Sequence, residues 1–193
     1  MLTHLAAAPL PVPAGDLPLQ LSRVPAGRRV NEMEFYFPLK RVIPQQLKQL
    51  FADHGRPHMA DLPADPLDRL NFAPMHGYLK GYVDTIFFHD RRYYLVDWKS
   101  NHLGDTPEAY TADRLAHAMA EAYYFLQYHL YVVALDQLLR TRVPDYLYEQ
   151  HFGGVYYLFL RGIQGPTNGI FHSVPDPGLV KDLRELFIGG GGQ

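Results

Sequence analysis

Asp84, Asp97 and Lys99 interrupt the apolar stretch "GYLKGYVDTIFFHDRRYYLVDWKS" at 77–100, and charges in segments otherwise built for burial need a reason. The stretch reads as two strands around a polar turn. With the turn centred between Asp90 and Arg91, facing residues have numbers that add to 181. Phe88 then faces Tyr93, Ile86 faces Leu95 and Asp84 faces Asp97. This register requires a loop with an even number of residues; an odd loop or a bulge breaks it. Directly opposed residues share a face with Cβ atoms about 4.5–5.5 Å apart, so two carboxylates placed there repel unless a cation joins them. Lys99 lies two residues beyond Asp97, and strand alternation sends it to the same face. Trp98 points the other way, which leaves its backbone carbonyl to face the site.

Two carboxylates, a carbonyl and an ammonium suit phosphodiester hydrolysis. Hard oxygen donors match Mg²⁺, which binds through one or two carboxylates and keeps several waters. Such a cation acidifies water and offsets charge on phosphoryl oxygens, while an ammonium orients or deprotonates the nucleophile or stabilises the transition state. Spacing alone is equally compatible with a solvated salt bridge on two strands.

Gln127 and Tyr131 form a second candidate pair, in "YYFLQYHLYVVAL". Their i, i+4 spacing puts both on one helical face, able to reach a common phosphate, water or lysine. The same spacing also describes an amphipathic core helix with a half-buried tyrosine.

The elements that position these groups follow from periodicity. "NEMEFYFPL" (31–39) alternates polar and apolar residues and predicts a strand, and "VIPQQLKQLFADHG" predicts a helix closed by Gly55. Residues 56–73 read as a loop, the stretch from about 112 to 140 as one long helix without Gly or Pro, and "HFGGVYYLFLRGI" as a central strand. "PDPGLVKDLRELF" closes with a short helix. The order predicts an α/β or α+β sheet flanked by helices. Residues 1–30 read as an irregular lead-in, 31–188 as the domain proper and 189–193 as a frayed tail.

Composition narrows the function classes. The chain has 193 residues, 47% of them hydrophobic, with 14 Tyr, 11 Phe and no Cys. Disulfides and thiolate metal sites are excluded, and the absence of Cys fits a cytoplasmic setting. A net charge of −2 announces no bulk polyanion binding, so any such site is local. The apolar runs are too short for a membrane helix, and the start lacks the pattern of a signal peptide. There is no G-x-x-x-x-G-K-[ST] and hence no ATP-driven motor here.

The pair Gly81-Tyr82-Val83-Asp84 and Asp97-Trp98-Lys99, followed by "SNHLG", resembles the GxxD and DxK strands of the RecB nuclease-domain family in the PD-(D/E)XK superfamily. Gln127 and Tyr131 match that family's QxxxY, and the likeness extends through "NEMEFYFPL" and "HFGGVYYLFLRGI", nearly the whole chain. The resemblance implies a restriction-endonuclease-like core and a Mg²⁺-dependent exodeoxyribonuclease, with Mn²⁺ or Ca²⁺ able to substitute in binding. It implies that Asp84, Asp97 and the Trp98 carbonyl hold the metal, Lys99 acts on the water, and Gln127 and Tyr131 support it. Glu34 matches an acidic position of the pattern and is a further metal candidate; a solvent-facing strand glutamate is its plain alternative. Implied partners are DNA, as double-strand ends and single strands, RecC- and RecD-like subunits, and RecA, in double-strand break processing.

The family supplies another ligand, a histidine on a helix well upstream of the "EMEFY" strand. Only about 30 residues precede that strand here, so the chain reads as beginning inside the domain. His4 lacks the context and distance of that motif and is not assigned; His54, His58, His76, His89 and His102 read as surface histidines, and His117 as a weak candidate. A catalytically incomplete module that docks DNA ends or partner proteins is therefore the competing reading. Candidate phosphate contacts are Lys99, then Lys80 as the leading backbone contact after it, and Arg91, Arg92, Arg114 and Arg161. Tyr78, Tyr82 and Trp98 could stack bases or simply pack the sheet.

Overall fold

A computed structural model describes residues 7–12, 19–55, 66–73, 75–164 and 167–189, with Met75 and His76 described by backbone alone. The expected loop up to residue 65, the tail beyond Gly189, and His4 and His58 lie outside the described residues.

The strands are β1 (Pro9–Leu10), β2 (Leu19–Gln20), β3 (Arg29–Val42), β4 (Met75–His89), β5 (Arg92–Lys99), β6 (Phe152–Phe159) and β7 (Ile170–Ser173). The helices are α1 (Pro44–Asp53), α2 (Ala112–Glu121), α3 (Tyr124–Arg142), the single turn α4 (Tyr148–His151) and α5 (Pro177–Phe187). β1 and β2 pair with each other, and a five-stranded sheet runs in the order β3-β4-β5-β6-β7. β4 and β5 are antiparallel, β5 and β6 parallel, and β6 and β7 antiparallel. The class is α/β, one of the two that the element order leaves open, with a mixed central sheet flanked by helices.

The hairpin register is the one its turn dictates. Phe88 faces Tyr93 and Ile86 faces Leu95, as counted from the sequence. Asp90 and Arg91 have φ of 46° and 64°, both left-handed, which is the two-residue turn whose twist matches that of its strands.

The chain divides into two compact units. The first comprises Met1–Met33, Val83–Ala118 and Glu149–Val174. Its core gathers Phe87, Tyr94 and Val96 from the hairpin with Tyr156, Leu158 and Ile170 from β6 and β7. Leu10, Leu19, Leu21 and Val24, from the stretch expected to be irregular, are buried in the same cluster. Each such side chain contributes on the order of 1.5–3 kcal/mol through burial, so this stretch anchors the core despite its poor periodicity. β6 is buried along its whole length, as its continuous apolar run predicts for a strand covered on both sides.

The second unit comprises Glu34–Tyr82, Met119–Tyr148 and Pro175–Gln193. Here β3 buries Phe35, Phe37 and Leu39 in strict alternation. α1 buries Leu47 and Phe51, and α5 buries Leu179, Val180, Leu183 and Phe187. Asp136, 1% exposed on α3, receives Arg140 at 2.8 Å and Arg184 of α5 at 3.1 Å. His54, expected at the surface, is instead held between Asp176 at 3.3 Å and Asp182 at 2.9 Å, where α1 ends against α5.

The long helix expected over 112–140 is two helices. Tyr123 breaks it with a left-handed backbone, φ 54° and ψ 26°. Its N–H closes on the Ala120 carbonyl, and its own carbonyl accepts from Leu126 and Gln127, so it ends one helix and starts the next. A non-glycine residue in this conformation leaves no mark in composition. β7 also escaped the sequence reading: four residues long, it pairs only with the distant β6.

Candidate active site

In the first unit, the ladder of β4 and β5 runs from the turn to Thr85 opposite Val96 and stops there. Pairs that exchange hydrogen bonds alternate along an antiparallel ladder, and a two-residue turn makes His89 and Arg92 the first of them. Counting inward, Val83 and Trp98 would be the next exchanging pair after Thr85 and Val96. Instead, the Trp98 N–H donates to the Asp84 carboxylate Oδ2 at 2.8 Å. A side chain has taken a backbone's place, and the strands part beyond it. In an extended strand the N–H and C=O of one residue point to the same side, so the Trp98 carbonyl opens toward Asp84 as well. Thr85, just inside the opening, donates its hydroxyl to Asn31 Oδ1 at 3.2 Å.

Asp97 comes next on β5 and is 4% exposed. Its Oδ2 lies 2.6 Å from Lys99 Nζ; the contact is a close ion pair rather than a well-aligned hydrogen bond. The Asp97 carboxyl is pushed up to about 6 in all: burial raises it most, Lys99 opposes the rise, and the negative charge of Asp84 adds to it. The charge of Asp84 is felt at Asp97, although the ladder stops one pair short of opposing the two residues. Lys99 extends over the ring of Tyr157 on β6, with Nζ 4.9 Å from the ring centre. Tyr157 stands in register with Asp97 across the parallel β5–β6 pair. Sequence reasoning missed Tyr157, because a partner about 60 positions away carries no local signal.

The oxygen set fits a hard divalent cation. A carboxylate with a pKa raised by burial and by a neighbouring carboxylate is one whose ionised form lacks positive charge, and Lys99 supplies only part of it. Among the described residues, no group of three or more His, Cys, Asp or Glu stands together as a metal cage.

The second unit holds the remaining candidates. Gln127 Nε2 donates to the Tyr131 hydroxyl at 2.8 Å, so the two residues of the i, i+4 pair act on each other. The Tyr131 ring packs edge-on against Phe35, centroids 5.7 Å apart. Glu34 and Lys80 are joined, Oε1 to Nζ at 2.8 Å, and the Tyr82 hydroxyl donates to the second Glu34 oxygen at 3.2 Å. Lys80 first and Tyr82 second hold the Glu34 carboxyl below the usual carboxylate range. All three side chains are about half exposed.

Gly81, the glycine of GxxD, has a physical role: a Cβ there would run into the Phe35 ring. Tyr78 and Tyr82 are exposed rather than packed, at 65% and 51%, and Tyr78 stacks on Tyr36. Trp98 packs against the core of the first unit. Arg92 and Arg161 are tied to backbone carbonyls, Arg92 to Phe152 at 3.1 Å and Arg161 to Ser100 at 3.0 Å. No helix among the described residues is long and apolar enough to cross a membrane.

A mixed sheet whose antiparallel hairpin carries Asp84 on one strand and Asp97-Trp98-Lys99 on the other is the PD-(D/E)XK-like class of core. The chain matches a segment of the RecB subunit of the RecBCD enzyme. It is 42% identical over 192 residues to RecB of Escherichia coli K12, covering 98% of this chain and 16% of that protein. To RecB of Mycobacterium tuberculosis H37Rv it is 37% identical over 193 residues, 89% of this chain and 18% of the relative. To RecB of Buchnera aphidicola subsp. Schizaphis graminum it is 34% identical over 174 residues, 90% and 14% respectively. The chain thus spans less than a fifth of the length of these relatives. No protein-family model matches it.

Proposed function

We propose that this chain is a Mg²⁺-dependent DNA nuclease domain of the RecB type, hydrolysing phosphodiester bonds in the processing of double-strand breaks. The observation that carries the reading is the opening of the β4–β5 ladder around Asp84, Trp98 and Asp97, with Lys99 ion-paired beside it. Asp84, Asp97 and the Trp98 carbonyl would hold the cation, which when bound supplies an acidified water and a counter-charge for the phosphoryl oxygens.

The chain's own residues do the rest. The Trp98 N–H fixes one Asp84 oxygen and orients that carboxylate toward the opening. Asp97 is ionised above about pH 6, so its carboxylate is charged at neutral pH. Lys99 is restrained by Asp97 and carries the positive charge that orients the attacking water or stabilises the transition state. Gln127 and Tyr131, hydrogen-bonded to each other, serve as the supporting pair that positions phosphate or water. Glu34 is a further candidate ligand, and Lys80 a DNA contact that must first exchange its Glu34 partner for phosphate. The proteins it resembles are named as subunits of the RecBCD enzyme, and on that likeness the partners are RecC- and RecD-like subunits and, for recombinase loading, RecA. The setting proposed is the cytoplasm.

The test is cleavage of linear and single-stranded DNA by the chain with Mg²⁺ or Mn²⁺, beside calorimetric titration of the metal. Asp97→Ala should abolish both cleavage and metal binding while the circular-dichroism spectrum stays native. A variant that cuts at the original rate would sink the assignment. Metal binding without cleavage would point instead to the docking-module reading.

A further inference from the structure

We infer that Tyr157 is a positioning residue that seats the Lys99 ammonium. The inference rests on the nuclease reading for the purpose of the seat, though not for its existence. Asp97 and Tyr157 are neighbours in register across the parallel β5–β6 pair. Neighbouring parallel strands lie about 4.8 Å apart, so these two side chains form a continuous wall. Lys99 starts two residues further along β5, and its ammonium stands against both: Asp97 Oδ2 at 2.6 Å and the Tyr157 ring centre at 4.9 Å. The Lys99 side chain is 12% exposed and Tyr157 is fully buried, so little water screens either contact.

The two contacts differ in what a divalent cation would do to them. A metal held by Asp97 competes with Lys99 for the charge of that carboxylate. The negative face of an aromatic ring attracts an ammonium without offering a hard oxygen to the metal. Tyr157 therefore holds the lysine in the site under the conditions in which the carboxylate holds it less. A phenylalanine would do the same; a leucine of similar burial would not.

The experiment compares Tyr157→Phe and Tyr157→Leu with the 193-residue chain, using proton NMR of the Lys99 ε-methylene, assigned by its loss in Lys99→Gln. An ammonium above a ring places those protons in the ring current. They should resonate well upfield of the other lysines in the parent chain and in Tyr157→Phe, with and without Mg²⁺, and return to the ordinary position in Tyr157→Leu. In steady-state cleavage, Tyr157→Leu should lower kcat about tenfold with KM within twofold, and Tyr157→Phe should stay within about threefold of the parent.

Ordinary Lys99 shifts in the parent chain overturn the seat, and that measurement requires no Tyr157 variant to fold. Equal loss of kcat in the Phe and Leu variants overturns the ring as its cause, since the hydroxyl would then be responsible. If the parent chain cuts no DNA, the nuclease reading fails while the NMR result still decides the seat.

Discussion

The carboxylate of Asp84 accepts the backbone N–H of Trp98 at 2.8 Å, in the position where the β4–β5 ladder would otherwise continue. One side chain thus ends the pairing of two strands, satisfies the freed donor and leaves the neighbouring carbonyl facing the same opening. The site is built into the sheet by the residue that interrupts it.

That double role separates two substitutions. Asp84→Asn retains an oxygen that can accept from Trp98, so its stability should stay within about 0.5 kcal/mol of the parent while metal binding is lost. Asp84→Ala leaves a half-buried N–H without its partner and should cost about 1–3 kcal/mol in urea unfolding. Equal stabilities for the two variants would show that the bond contributes nothing.

Asp97 predicts a pH signature in the metal-free chain. Its folded pKa of about 6 lies above the reference 3.8, so between these values the folded state binds more protons than the unfolded state. Stability therefore falls as pH rises through this window, the sign opposite to that of a carboxylate whose folded pKa is depressed. The shift of about two units corresponds to about 3 kcal/mol, reached in full above pH 6. Asp97→Asn cannot titrate, so the stability of the parent relative to this variant should drop by roughly that amount from pH 4 to 7. Chemical denaturation across the range measures it, and a flat difference would falsify the burial argument.

Gly81→Ala should destabilise the chain by about 1–3 kcal/mol, because the added methyl meets the buried Phe35 ring. Combining it with Phe35→Leu should recover part of the loss, since the smaller side chain vacates the space. Thermal unfolding of the single and double variants checks this; an additive double variant would remove the contact as the cause.

Much of the site was legible because its geometry is local. The hairpin register follows from a two-residue turn and a period of two, so counting outward from Asp90 and Arg91 opposes Asp84 and Asp97. Gln127 and Tyr131 are one helical turn apart and meet for the same kind of reason. Glu34 and Lys80 were each visible as charges on strands, but their pairing was not, because they lie on different strands far apart in sequence.

The sequence by itself determined the hairpin and its register, the buried strand β6 and the amphipathic helices, since each depends on residues a few positions apart. Only the tertiary structure decided that Leu10, Leu19, Leu21 and Val24 supply core side chains, that Tyr123 divides a helix no glycine or proline marks, and that Tyr157 lies beneath Lys99. These depend on which elements become neighbours. That choice is made by the summed burial of distant side chains, which no short window of sequence contains.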